Sequence, residues 1–353
     1  MVTLKPKNET AIFSAILAAL LFGISSPFSK ILLVEIPPAL MAALLYLGAG
    51  IGISLLNFIW KIKSKDQKEA KITRSDLPFV LGMIALDIAA PICLMMGLTM
   101  TTSANVALLN NFEIVATSLI ALFIFKEAIG KRLWIAIGLI TFSSLILSVE
   151  DLINFSFSLG AVYVLLACMC WGFENNCTRR LSIKNPMQVV IIKGFGSGFG
   201  SILIAISLRE YTVSITYLLA ALVLGFFSYG LSIFFYVSAQ RELGAARTST
   251  YYAIAPFVGV GLSFLIFQEI PTLSFLIALF IMIAGTYFAS CEQHKHLHEH
   301  TSVTHEHRHY HKDWHHNHEH DEPVKGDHSH RHTHKALVHV HRHTPDIYHF
   351  HMH

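Results

Sequence analysis

T-S-A-N-V-A-L-L-N-N-F-E-I-V-A-T-S-L-I-A-L-F-I-F-K-E runs from Thr102 to Glu127, and 142 positions later G-A-A-R-T-S-T-Y-Y-A-I-A-P-F-V-G-V-G-L-S-F-L-I-F-Q-E runs from Gly244 to Glu269. Both stretches close on F-x-E, with Phe125, Lys126 and Glu127 answered by Phe267, Gln268 and Glu269. A second register, of 149 residues, lays Leu21-Phe22-Gly23 on Cys170-Trp171-Gly172 and Pro37 on Pro186. The two registers differ because the charged loop at 61–76 is longer than its counterpart near 209–214. The chain therefore reads as two copies of one unit.

Each unit holds five apolar stretches. About 20 apolar residues are needed for a helix to cross a hydrocarbon layer of ~30 Å. Such stretches lie at about 11–34, 39–60, 77–99, 103–125, 132–149, 159–181, 187–207, 215–239, 246–267 and 273–290. The first run is too long for the apolar part of a secretory signal and counts as a span. Five is odd, so the second copy must sit inverted relative to the first, an arrangement that marks secondary transporters. The expected fold is an all-α polytopic membrane protein of ten transmembrane helices in two inverted five-helix repeats. Its segments are a short N-terminus (1–10), a first repeat (11–150), a second repeat (151–290) and a C-terminal tail (291–353).

Charge alternates between the loops. Lys5 and Lys7, the cluster from Lys61 to Arg74, Lys131 and Arg132, Arg179 with Arg180 and Lys184, and Arg241 with Arg247 fall on one side. The other side holds little beyond Lys30, Arg209 and acids such as Glu35 and Glu150. Short Lys/Arg-rich loops stay cytoplasmic, which places both termini inside a plasma (inner) membrane. From Cys291 onward seven Lys/Arg face nine Asp/Glu, so the +3 of the whole chain leaves +5 on residues 1–290. That excess serves orientation in a lipid bilayer and gives no reason to expect nucleic acid. The five cysteines form no C-x-x-C pair, and no P-loop or nucleophile motif points to an enzyme.

Ten spans as five plus five, the S-A-x-x-A-L-L opening at Ser103–Leu109, and the repeat-motif residues Glu127, Glu269 and Pro256 resemble the drug/metabolite transporter superfamily, most nearly its EamA-type branch. The resemblance implies transport of a small metabolite, often outward, with no cofactor required. It covers about residues 11–290. The first copy departs from it, having Glu113-Ile114 near the position of Pro256.

Ionisable residues at membrane depth are functional candidates because they are costly there. Asp87 lies mid-way along the third span and Glu113 mid-way along the fourth, where they can share a proton. Asn110 and Thr117, three before and four after Glu113, fall on its face of a helix. Asn110, Asn111, Tyr251 and Tyr252 complete the expected substrate and coupling site. Glu174 and Lys193 sit at similar depth in the sixth and seventh spans and suit an intramembrane ion pair. Cys170, Glu174 and Cys177 form one stripe that can hold a metal or simply pack.

All 22 histidines fall between His294 and His353. His294, His296, His298, His300, His305, His307, His309 and His311 place imidazole at every second residue, a ligand supply for Zn²⁺, Ni²⁺, Co²⁺ or Cu²⁺. The polar composition predicts a disordered tail. Two alternatives to metabolite transport follow from it: a divalent metal transporter with the tail as cytoplasmic collector, and a membrane-anchored metal sensor. The substrate, and whether two copies form a homodimer, stay open.

Overall fold

The computed structural model describes residues 6–63, 72–124, 129–151, 156–181, 184–243, 248 and 251–290, with four tail segments at 294–300, 303–309, 328–334 and 337–343. Thirteen α-helices are traced among these. The first span is split into α1 (Pro6–Gly23) and α2 (Ser25–Leu32), followed by α3 (Pro38–Lys63) and α4 (Leu77–Met100). The fourth is split into α5 (Ser103–Leu109) and α6 (Phe112–Phe123), and α7 (Lys131–Ser148) follows. Next come α8 (Leu159–Leu181), α9 (Pro186–Ser207) and α10 (Ile215–Gly225), the last joined by a π turn at Phe226–Leu231 to α11 (Ser232–Leu243). Finally α12 (Ala255–Phe267) and α13 (Leu273–Ser290) close the bundle.

Eight of these segments are long and apolar enough to cross a membrane, and α12 is a shorter apolar helix. The 23-residue α8 has the length, but Glu174, Asn175 and Asn176 dilute its second half. The bundle wears its apolar side chains outward: Phe58 is 65% exposed, Leu203 69% and Phe280 70%. An apolar rim of this extent around a core of alanines and larger aliphatic residues is what lipid contact requires. The chain is a multi-pass membrane protein.

Helix pairs meet in matched sets. α4 packs along α8 and α1 along α11; α6 packs on α8 and α12 on α1; α3 meets α10 and α4 meets α9. Three further pairs, α3 with α9, α5 with α12 and α7 with α13, cross antiparallel. Gly50 abuts Gly194 while Leu47 abuts Gly198, and Ala107 meets Gly259 while Ser103 bonds Ser263 at 2.6 Å. Ser143 Oγ donates to the Ala278 carbonyl at 2.7 Å, and Gly285 lies against Ile140. The close approach is built on glycine: a Cβ on Gly48 would stand 2.1 Å from the Leu222 carbonyl oxygen.

Three spans expected to be continuous are broken. Pro27 lacks the N–H that would bond the Gly23 carbonyl, and the first span turns at Ile24. Pro256 does the same to Tyr252, and α12 starts only at Ala255. No proline interrupts the fourth span. There Asn111 turns its amide back to the Leu108 carbonyl at 3.1 Å, and Glu113 N reaches the Asn110 carbonyl at 3.1 Å in a tightened turn. An Asn side chain offering its own hydrogen bonds competes with the helix ladder.

Short antiparallel pairings lie outside the bundle. A short antiparallel hairpin, β1 (Val149–Asp151) with β2 (Ser156–Phe157), joins α7 to α8. In the tail, β3 (His294–His300) pairs antiparallel with β6 (Leu337–His343), and β4 (Val303–His309) with β5 (His328–His334). Low hydrophobicity argued for disorder there, but alternation at every second residue is also the period of a strand. The register sets His296 against His341 and His307 against His330.

Candidate functional site

The three breaks converge. Phe22, Gly23 and Ser26 from the first span, Ala107 and Asn110 from the fourth, and Ala255, Pro256 and Gly259 from the ninth line one cavity. Its volume is about 10 Å³, near the room one water needs. Broken helices facing a cavity present backbone groups and helix ends to whatever enters. Cys168 of α8 donates its thiol to the Leu109 and Asn110 carbonyls, at 3.7 and 3.9 Å, two groups that the break leaves outside the helix ladder.

Glu113 stands in the first turn of α6, where the positive end of the helix favours a carboxylate. Its Oε1 accepts a hydrogen bond from Asn175 Nδ2 at 2.6 Å, and the same amide reaches Thr117 Oγ1 at 3.2 Å. Glu113 is only half-buried. Phe22 packs between Tyr229 and Tyr252, both with ring centroids 5.9 Å away, and Tyr252 also meets Tyr236 at 4.8 Å. Two of the cavity-lining residues thus lead outward, Phe22 into this aromatic cluster and Asn110, three residues before Glu113, to the Glu113–Asn175 pair.

A second polar cluster is sealed. Lys193 Nζ lies 2.9 Å from Glu174 Oε1 and 3.1 Å from Asp87 Oδ2, and Tyr46 donates its hydroxyl to Asp87 Oδ1 at 2.8 Å. Thr178 bonds Glu174 from one turn further along α8. Pro91, four residues after Asp87, removes the N–H that the Asp87 carbonyl would otherwise take. Glu113 lies near enough for the charges of Glu174 and Lys193 to act on it.

Several sequence expectations meet a different geometry. Asp87 and Glu113 do not share a hydrogen bond; each has its own partners. Asn110 is not on the face of Glu113 and Thr117, because the helix ends between them, and it lines the cavity instead. Asn111 turns away, accepting the Thr286 hydroxyl at 3.3 Å. Tyr251 is half-buried, and Glu269 is exposed beyond α12. Glu127 and His311 lie outside the described residues. No group of three or more His, Cys, Asp or Glu is placed to hold a metal among the described residues, the Cys170–Glu174–Cys177 stripe included. The sequence passed over Tyr46, Tyr229 and Asn175. Only Asn175 carried a signal, as one of three consecutive polar residues inside a span.

The family model for EamA-like transporters matches residues 9–149 and again residues 158–291. The chain belongs to the EamA-like transporter family. A relative from Methanothermobacter thermautotrophicus, named an uncharacterized transporter, is 27% identical over 292 residues, 78% of this chain and 84% of that protein. A solved crystal structure resembles this EamA-like chain at a TM-score of 0.57 and 16% identity, over 80% of this chain and 96% of that one, a likeness of fold alone. Family and relative point to a transporter rather than an enzyme, a multi-pass membrane protein that moves a small molecule.

Proposed function

We propose that this EamA-like protein is a secondary transporter of the plasma membrane that carries a small organic metabolite by alternating access, with both termini cytoplasmic. The observation that carries the proposal is the cavity at which spans 1, 4 and 9 all break, with Glu113 and the tyrosine wall beside it. Two inverted repeats explain why the helix pairs come in matched sets. Exchanging the copies turns α4–α8 into α11–α1 and α6–α8 into α12–α1, and the three pairs that map onto themselves cross antiparallel. The 142-residue register also lays Asp87 on Tyr229, so the third span of each copy is distorted at one level, by Pro91 and by the π turn.

In this arrangement rocking one repeat against the other exposes the cavity to each side in turn. Glu113, Asn110, Asn175 and Tyr252 bind the cargo. The test is uptake of labelled amines, amino acids and nucleobases into proteoliposomes holding the intact protein, beside Glu113→Gln. At least one compound accumulates with the wild type and not with the variant. Equal accumulation by both, for every compound that accumulates, would remove Glu113 from the site.

The 22 histidines keep divalent metal as a second cargo. Under that reading, removing residues 292–353 blunts uptake of radiolabelled Zn²⁺; under the first, it leaves metabolite uptake unchanged.

A further inference from the structure

The sealed cluster does not balance. Asp87, Glu174 and Lys193 are 0%, 2% and 7% exposed, and they set two carboxylates against one ammonium. Among the described residues, neither acid contacts a second basic side chain. An uncompensated charge buried at membrane depth is expensive. The site also offers no obvious seat for a metal cation. Asp87 Oδ1 is taken by Tyr46, and Glu174 Oε1 by both Lys193 and Thr178. The Asp87 Oδ2 atom touches Lys193 yet accepts no hydrogen bond of proper geometry. The smallest cation meets these conditions.

We propose that the cluster binds one proton, shared between Asp87 and Glu174, as the coupling ion of the transport cycle; the coupling role rests on the transporter reading above. A proton brings the cluster from −1 to neutral and lets α3, α4, α8 and α9 close over it dry. When α4 and α8 part and water enters, the ionised form is solvated and the proton leaves. Closure on the cluster therefore requires a proton, and opening releases it.

Among the described residues, the groups that face the cluster are few. Tyr46 comes from α3, Asp87 from α4, Glu174, Cys177 and Thr178 from α8, and Lys193 from α9; Glu113 on α6 and Tyr229 on the π turn act through their charge or dipole. Lys193 already holds both acids, so the proton added is the only one needed for neutrality.

Infrared spectroscopy of the purified full-length protein reads this proton without any substrate, from the carbonyl stretch of a protonated carboxylic acid, assigned by ¹³C labelling of Asp and Glu. At neutral pH the wild type shows the band of one such acid. Asp87→Asn or Glu174→Gln leaves one carboxylate against Lys193, and the band vanishes in either variant. Glu113→Gln retains it. Lys193→Met leaves two carboxylates without a cation, and the band doubles. Each variant is first shown monodisperse by size exclusion, and Glu174→Gln reads the same proton should Asp87→Asn fail to fold. No band in the wild type, a band indifferent to both Asp87→Asn and Glu174→Gln, or one lost only in Glu113→Gln would overturn the proposal while leaving transport standing. A band that behaves as expected in a protein that transports nothing would overturn the coupling role and leave the proton site.

Discussion

Ser103 and Ser263, 160 positions apart, meet hydroxyl to hydroxyl at 2.6 Å where α5 crosses α12. Without a hydrophobic force between helices in lipid, such contacts between small and polar side chains hold a bundle together. Ala107 and Gly259, one turn further along each helix, complete the crossing directly beside the cavity.

Close glycine contacts elsewhere separate from open ones by substitution. Gly48→Ala puts a Cβ 2.1 Å from the Leu222 carbonyl oxygen, whereas nothing lies within 4 Å of one on Gly138. The first should cost about 1–3 kcal/mol or more through overpacking. Gly138→Ala should be neutral or stabilising by up to about 1 kcal/mol. Thermal melting of the two variants in one detergent checks the contrast.

Asn175→Ala removes the hydrogen bond that Asn175 donates to the Glu113 carboxylate. A bond to a charged group contributes about 1.5–3 kcal/mol, and about 1.4 kcal/mol is tenfold in an equilibrium constant. The half-saturating concentration of a transported metabolite should rise at least about tenfold, with expression and folding unchanged. A concentration series of uptake reads the effect.

Lys193→Met strips both acids of their ammonium, and removing one partner of a buried ion pair costs roughly 3–5 kcal/mol. The triple variant that adds Asp87→Asn and Glu174→Gln should recover most of that loss, because no charge is left to bury. Chemical denaturation of the three proteins decides. If the triple variant is no more stable than Lys193→Met alone, the cost lies in packing rather than charge.

Asp76, outside the membrane in the 3₁₀ turn before α4, sets a pH dependence. Burial pushes its carboxyl up, but the Thr73 amide and hydroxyl, each at 2.8 Å, and Lys184 at 3.3 Å outweigh that and hold it below the ordinary value. A depressed acid stabilises the folded state above its unfolded value of about 3.9, and that contribution is lost as pH falls through the folded value. Asp76→Asn should therefore lower stability by under about 1 kcal/mol near neutrality. The gap should close below about pH 4. Melting curves of both proteins across this range test it.

That the chain crosses a membrane many times was legible because lipid demands long apolar runs, and no other force writes them so plainly. The spacing of Glu174 and Lys193 also placed them at one depth, 2.9 Å apart in the structure. Tyr46 was invisible beforehand: a tyrosine in an apolar stretch gives no sign of which neighbour its hydroxyl meets. The break at Asn110–Asn111 was missed for another reason. Helix interruption is read from proline, whereas here two amides and a tightened turn perform it. In the tail one alternating pattern serves both a polar coil and a strand.

Where α3 crosses α9, Gly50 and Gly194 bring main chain against main chain, so near that a Cβ on Gly194 would stand 2.5 Å from Gly50 Cα. Surfaces of this kind behave as a bearing. At that contact no side chain stands between the two main chains when one helix tilts on the other. The rest of the bundle can interlock through larger side chains and move as two stiff levers, while the fulcrum between them turns with little friction.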